Sequence, residues 1–138
     1  MYTILMSQDK SLRCTHRETI YQREKLVDKL KIIVPETIGE TNMNELNIIL
    51  LKYTDQGNVA HSEMLVADET PYKEGYLSFT FPVDTNITRF AGDITISLSF
   101  LYAALGPDSD EVMHSGETTI TVNPLRDIFV TDDSLQSL

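Results

Sequence analysis

The residues able to do chemistry are few and scattered. Cys14-Thr15-His16 sets a thiol and an imidazole two positions apart, and on a strand residues two apart share a face. A thiol becomes a useful nucleophile when an imidazole takes its proton, a third group orients the imidazole and donors receive the developing oxyanion. No spacing here supplies the orienting group or the donors, so Cys14 reads as a packing thiol. His16, His61 and His114 each stand alone, with no His-x-x-x-His or Cys-x-x-Cys pattern to assemble a zinc site. Asp108-Ser109-Asp110-Glu111 gathers oxygen ligands of the kind a calcium ion prefers. The full EF-hand loop pattern is missing, and a solvated acidic loop is the expectation. Six glycines are dispersed without a Walker or Gly-x-Gly-x-x-Gly arrangement. Asn86-Ile87-Thr88 matches a glycosylation sequon, which matters only in a secreted chain. Tyr53, Tyr72, Tyr76 and Tyr102 would be the material for a sugar-binding groove. With no tryptophan in the chain, core or rim packing is the reading and a carbohydrate-binding module the alternative. No catalytic residue, no cofactor and no metal is expected, and the chain is not expected to be an enzyme.

The elements that would position any site are strands. Ile94, Ile96, Leu98, Phe100 and Tyr102 alternate with Thr95, Ser97 and Ser99, the pattern of a half-buried strand. Val112, His114, Gly116, Thr118, Ile120 and Val122 alternate likewise up to Asn123-Pro124. The two predict a hairpin around Gly106-Pro107-Asp108. Leu30, Ile32 and Val34 alternate with lysines before Pro35, and Leu46–Tyr53 is almost continuously apolar. Asp55-Gln56-Gly57-Asn58 reads as a hairpin turn into 59–67, and Leu77, Phe79, Phe81 and Val83 line one face of a further strand. The nearest helical candidates are 19–29 and 84–90, the second read as a turn or single helical turn between sheets. About six strands at short spacing in the main body indicate a sandwich or barrel. The expected core is Leu30, Ile32, Val34, Leu46, Ile48, Leu50, Leu77, Phe79, Phe81, Ile94, Ile96, Leu98, Phe100, Ile120 and Val122. Residues 46–51 stay ambiguous between Leu46/Ile48/Leu50 and Ile49/Leu51.

At 138 residues, 41% hydrophobic and 23% charged, the chain has the size and composition of one folded domain. No window holds eighteen apolar residues, and 1–6 is too short and uncharged for a signal peptide, so cytosolic synthesis without membrane insertion is expected. The lone Cys14 leaves packing to hold the fold. Net charge is -10 but uneven: residues 1–31 carry seven Lys or Arg against four Asp or Glu, and residues 32–138 four against seventeen. The acidic body argues against nucleic acid as a partner. The basic segment, with Lys10, Arg13, Arg17, Arg23, Lys25, Lys29 and Lys31, would meet an acidic surface on a neighbouring copy or another protein.

Two stretches carry a family likeness. The run from Tyr76 through Phe81-Pro82-Val83-Asp84 and Ala91-Gly92-Asp93 to Phe100, then His114–Pro124, resembles structural proteins of bacteriophages of Gram-positive bacteria. Leu50–Glu63 matches the earlier hairpin of the same family, so the resemblance spans roughly 8–130. In layout the chain is also similar to the N-terminal domain of upper baseplate proteins. The resemblance implies an all-β, immunoglobulin-like antiparallel sandwich of about 7–8 strands with an N-terminal arm. It implies a multi-copy virion subunit that binds other virion proteins and copies of itself on the capsid, neck or tail, with no nucleic acid or membrane partner.

Three regions are expected: a basic and apolar arm with the first strand at 1–25, the sandwich at 26–130 and a polar tail at 131–138. Met1, Tyr2, Ile4, Leu5 and Met6 form an apolar terminus beside Lys10, Arg13 and Arg17. These eight residues are the expected partner-binding set, because an apolar terminus without cover is disordered or adhesive and an arm can add a strand to a neighbour's sheet.

Overall fold

Period-two alternation of apolar side chains builds two facing sheets. The computed structural model describes residues 1–46, 48–70, 72–102 and 112–125. The strands are β1 (Tyr2–Met6), β2 (Leu12–His16), β3 (Ile20–Tyr21), β4 (Lys29–Pro35), β5 (Thr37–Ile38), β6 (Thr41–Asn42), β7 (Ile48–Thr54), β8 (Ala60–Met64), β9 (Tyr76–Pro82), β10 (Gly92–Leu101), β11 (Met113–His114) and β12 (Thr118–Asn123). A helical turn, α1 (Thr85–Thr88), is capped by Asp84, whose carboxylate accepts from the Thr85 N–H at 2.7 Å. This is the single helical turn expected between sheets. One sheet runs β2-β1-β4-β9 and the other β3-β12-β10-β7-β8, with β11 beside β10. Tyr2, Ile4, Met6, Leu30, Ile32, Val34 and Phe79 face Ile49, Leu51, Tyr53, Ile94, Ile96, Leu98, Phe100, Ile120 and Val122, all buried.

The all-β sandwich is as expected, with four departures. Pairing is mixed and not purely antiparallel, because β1 runs parallel to β4 and β3 parallel to β12. Residues 2–6 are no arm: β1 is hydrogen-bonded on both sides, to β2 and to β4, inside its own sheet. In the apolar run Leu46, Ile49, Leu51 and Tyr53 are buried, with Ile48 and Leu50 half-exposed. The parity is set by Lys52 and Thr54, which share a face with Ile48 and Leu50. Leu77 and Phe81 pack against the core while remaining only partly buried, and Tyr102 is exposed.

The hairpin partner of β10 contains a bulge. Ser99 pairs with His114 and Phe100 with Met113, but Ile96 pairs with Thr118, so residues 115–117 oppose only Ser97 and Leu98. Ser115 N–H donates to the Leu98 carbonyl (2.9 Å), and its hydroxyl accepts from Leu98 N–H (2.8 Å). Across this extra residue the inward set changes parity. Met113 packs on the core with Ile120 and Val122, while His114 turns outward to the Ser99 hydroxyl at 3.0 Å. The expected turn at 103–110 lies outside the described residues, as does the tail at 131–138.

β4 runs from one end of its sheet to the other, paired with β9 along its whole length. Its seven residues span roughly 23 Å. The segment before it and the end of β9 lie at one pole of the sandwich, and the segment after it and the start of β9 lie at the other.

Candidate interface at one end of the sandwich

The pole preceding β4 is made by residues 17–29 crossing against 83–90. The crossing is held by backbone donors: Arg23 N–H to the Thr88 carbonyl (2.7 Å), Leu26 N–H to the Val83 carbonyl (2.9 Å) and Val83 N–H to the Asp28 carbonyl (2.9 Å). Side chains complete it, with Thr88 Oγ1 donating to the Glu24 carbonyl (2.5 Å) and Gln22 Nε2 to the Arg89 carbonyl (3.2 Å). Gln56 Nε2 from the β7–β8 turn donates to the Ile87 carbonyl (3.1 Å). The stretch expected as a possible helix is therefore an irregular crossing pinned at both ends. Two of its residues hold left-handed backbone, Arg23 at φ 70° and Leu26 at φ 58°. For a side chain the size of leucine that conformation costs on the order of 1–3 kcal/mol, which the surrounding hydrogen bonds must offset.

This pinned crossing exposes large apolar side chains. Tyr21 is 46% accessible, Leu26 53%, Val27 69% and Phe90 50%. Beside Leu26 a notch of about 160 Å³ opens between the sheets, lined by Tyr53, Glu63, Phe81, Pro82, Asp84, Asn86 and Ile87. Burial, with the nearby charges of Glu63 and Asp55, pushes the Tyr53 hydroxyl up to about 12, against a hydrogen bond from Asn86 that acts the other way. The Tyr53 ring also stacks on His61 at 4.7 Å, and His61 Nε2 meets Asp55 Oδ2 at 2.8 Å. Asp55 Oδ1 in turn accepts from Gly57 and Val59 N–H at 2.9 Å, so this trio shapes the β7–β8 turn.

The charges around the crossing are sorted by exposure. Arg17, Arg23, Lys25, Lys29 and Arg89 are solvent-exposed, whereas Glu24, Asp28 and Asp84 are half-buried and the exposed Glu18 is paired with the Met1 ammonium. Glu24 accepts from the Tyr21 N–H at 2.6 Å, and Asp84 is spent on its cap. Asp28 has one buried carboxylate oxygen without a partner among the described residues. Burial holds its pKa above the ordinary carboxylate range, and the neighbouring Glu24 raises it further. An acid raised in this way binds more protons folded than unfolded, so it lowers stability as pH rises from the unfolded value of about 3.9 through the folded one. Asp28→Asn is expected to raise the melting temperature at about pH 7 and to lose that advantage near pH 4. Thermal unfolding at the two pH values checks this, and an unchanged or lowered melting temperature at neutral pH would contradict it.

The expected partner-binding residues fall elsewhere. Tyr2, Ile4 and Met6 are core residues, inaccessible to a partner in this fold, and Leu5 is half-buried. Met1 is exposed and its ammonium pairs with Glu18. Arg17 is exposed near this pole and donates to the Tyr2 hydroxyl at 2.6 Å, while Lys10 and Arg13 are exposed on the β1–β2 turn and on β2. Cys14 Sγ donates to the Thr119 carbonyl at 3.5 Å, and His16 faces solvent 3.7 Å from Glu18. Among the described residues no three His, Cys, Asp or Glu side chains gather where a metal ion could sit. The acidic turn 108–111 lies outside the described residues. Tyr53 is buried and Tyr76 half-buried, while Tyr72 and Tyr102 are exposed. The sequence signal for the apolar crossing was present as Leu26-Val27 between the charged Lys25 and Asp28, but the pattern alone does not distinguish it from a buried helix face.

These features define a mixed-sheet β-sandwich with one pinned apolar pole. No protein-family model matches the chain, and no curated protein matches it. Among solved structures the chain is similar to the N-terminal domain of phage TP901-1 ORF48, with a TM-score of 0.50 and 16% identity over 88% of this chain and 97% of that one. At that identity the likeness speaks for the fold.

Proposed function

We propose that the chain is a bacteriophage virion structural protein, a β-sandwich subunit that attaches to other virion proteins as an adaptor, an appendage anchor or a decoration. The observation that carries the reading is the pole bearing Tyr21, Leu26, Val27 and Phe90. Large apolar side chains exposed along one hydrogen-bonded crossing, among exposed cations, favour a protein-binding surface. The fold it shares with the N-terminal domain of phage TP901-1 ORF48 supports the same reading. Binding here needs no chemical step: the surface supplies apolar contact, and the cations orient a partner of complementary charge.

The test is incorporation. Particles of the phage that encodes the chain are purified, and the protein is quantified by mass spectrometry for the native chain and for Val27→Asp. The native chain is expected at multiple copies per particle. The variant is expected at least about tenfold lower, equivalent to a loss of about 1.4 kcal/mol in attachment, with an unchanged melting temperature. Absence of the native protein from particles overturns the proposal, and so does full incorporation of a folded variant.

A further inference from the structure

The two poles carry opposite charge. Before β4, the exposed ionised side chains of the crossing are Arg17, Arg23, Lys25, Lys29 and Arg89, with one exposed carboxylate, Glu18, paired with the Met1 ammonium. After β4, the chain exposes Glu36, Glu40 and Glu45, and Glu74 joins them at the start of β9. That second pole is also pinned: Glu36 N–H donates to the Gly75 carbonyl (2.9 Å), Met43 N–H to the Glu36 carbonyl (2.7 Å) and Gln8 Nε2 to the Thr37 carbonyl (2.8 Å). Its exposed counter-charges among the described residues are Lys10 and Lys73, the latter 5.3 Å from the centre of the Tyr76 ring.

From this we infer that copies of the chain associate head to tail, the apolar and cationic pole of one seated on the acidic pole of the next. The inference rests on the reading of the chain as a structural subunit and names its partner as a second copy. Charge chooses the arrangement. With a net charge of -10, two copies repel in most orientations. Pole to pole, cations lie within contact distance of carboxylates, while the remaining charge is separated by more than the screening length of about 10 Å at 0.1 M salt. Leu26, Val27 and Phe90 then lose their exposure to water, which gives the contact its apolar core. Because the two surfaces differ, each copy keeps one free pole, and the contact generates rings or open rows in place of a closed symmetric pair.

Two charge-reversed variants test this: Lys25→Glu with Arg89→Glu at one pole, and Glu36→Lys with Glu40→Lys at the other. Sedimentation velocity at about 0.1 M salt and up to roughly millimolar protein is expected to show concentration-dependent association of the native chain. Each variant alone is expected to associate at least about tenfold more weakly. An equimolar mixture of the two is expected to recover association, because the mixture again offers one native cationic pole and one native acidic pole. Leu26→Gly, which relieves the left-handed backbone while removing the side chain, is expected to keep the fold and weaken association. A native chain that stays monomeric, variants that associate like it, or a mixture that stays monomeric each overturn the inference. Particle incorporation separates the two readings: a monomer found in virions refutes head-to-tail association alone, and an associating chain absent from virions refutes the virion role alone.

Discussion

Deleting residues 1–9 is expected to abolish cooperative folding. The deletion removes β1, which lies between β2 and β4 and pairs with both. It takes away Tyr2, Ile4 and Met6, each at most 2% exposed, and burying side chains of that size contributes about 1.5–3 kcal/mol apiece. It also leaves β2 without a partner strand and opens one edge of β4, whose unpaired backbone groups add a further cost. A domain holds only about 5–15 kcal/mol in total, so the sum reaches the whole stability. Far-ultraviolet circular dichroism and amide dispersion in proton NMR of the truncated chain check this. A truncated protein that melts cooperatively near the native temperature would show that β1 is dispensable, as a contact arm would be.

The misreading of β1 shows where sequence reasoning stops. An apolar terminus in front of a basic segment has two physical outcomes, a partner on another chain or a partner distant in its own chain. The second holds here because β1 lies parallel to a strand more than twenty residues downstream, a pairing that no local turn signals. Elements joined by tight turns were legible. The β7–β8 hairpin follows from Asp55-Gln56-Gly57-Asn58, and Asn58 takes the left-handed φ of 63° that such a turn requires. The parity of 46–53 was legible too, had Lys52 been weighted above the apolar residues around it. At 115–117 strict alternation fails because an inserted residue costs the sheet one irregular pair and reverses every side chain beyond it. Of the interface, charge sorting was partly visible: the basic excess of residues 1–31 contains Arg23, Lys25 and Lys29. The strained backbone at Arg23 and Leu26 was not, since neither arginine nor leucine favours positive φ as asparagine does.

Leu98→Ala is expected to destabilise the chain by about 2–5 kcal/mol, the range for removing a core leucine and leaving a cavity. Leu98 is fully buried midway along β10 and pairs with Leu51, itself fully buried, so little solvent or mobile structure is at hand to fill the space. Leu50→Ala is the internal control. Leu50 belongs to the same apolar run but sits on the outer face opposite Met64 and Ser99, half-exposed, and its loss is expected to cost about 1 kcal/mol. Urea unfolding of the two variants, with the slope held constant, measures both. The ordering matters more than either value, because a one-residue shift of β7 would exchange the faces of Leu50 and Leu51 without changing composition. If Leu50→Ala proves the costlier, β7 has the opposite register. Tyr53 would then point outward, and the notch beside Leu26 would lose its buried wall.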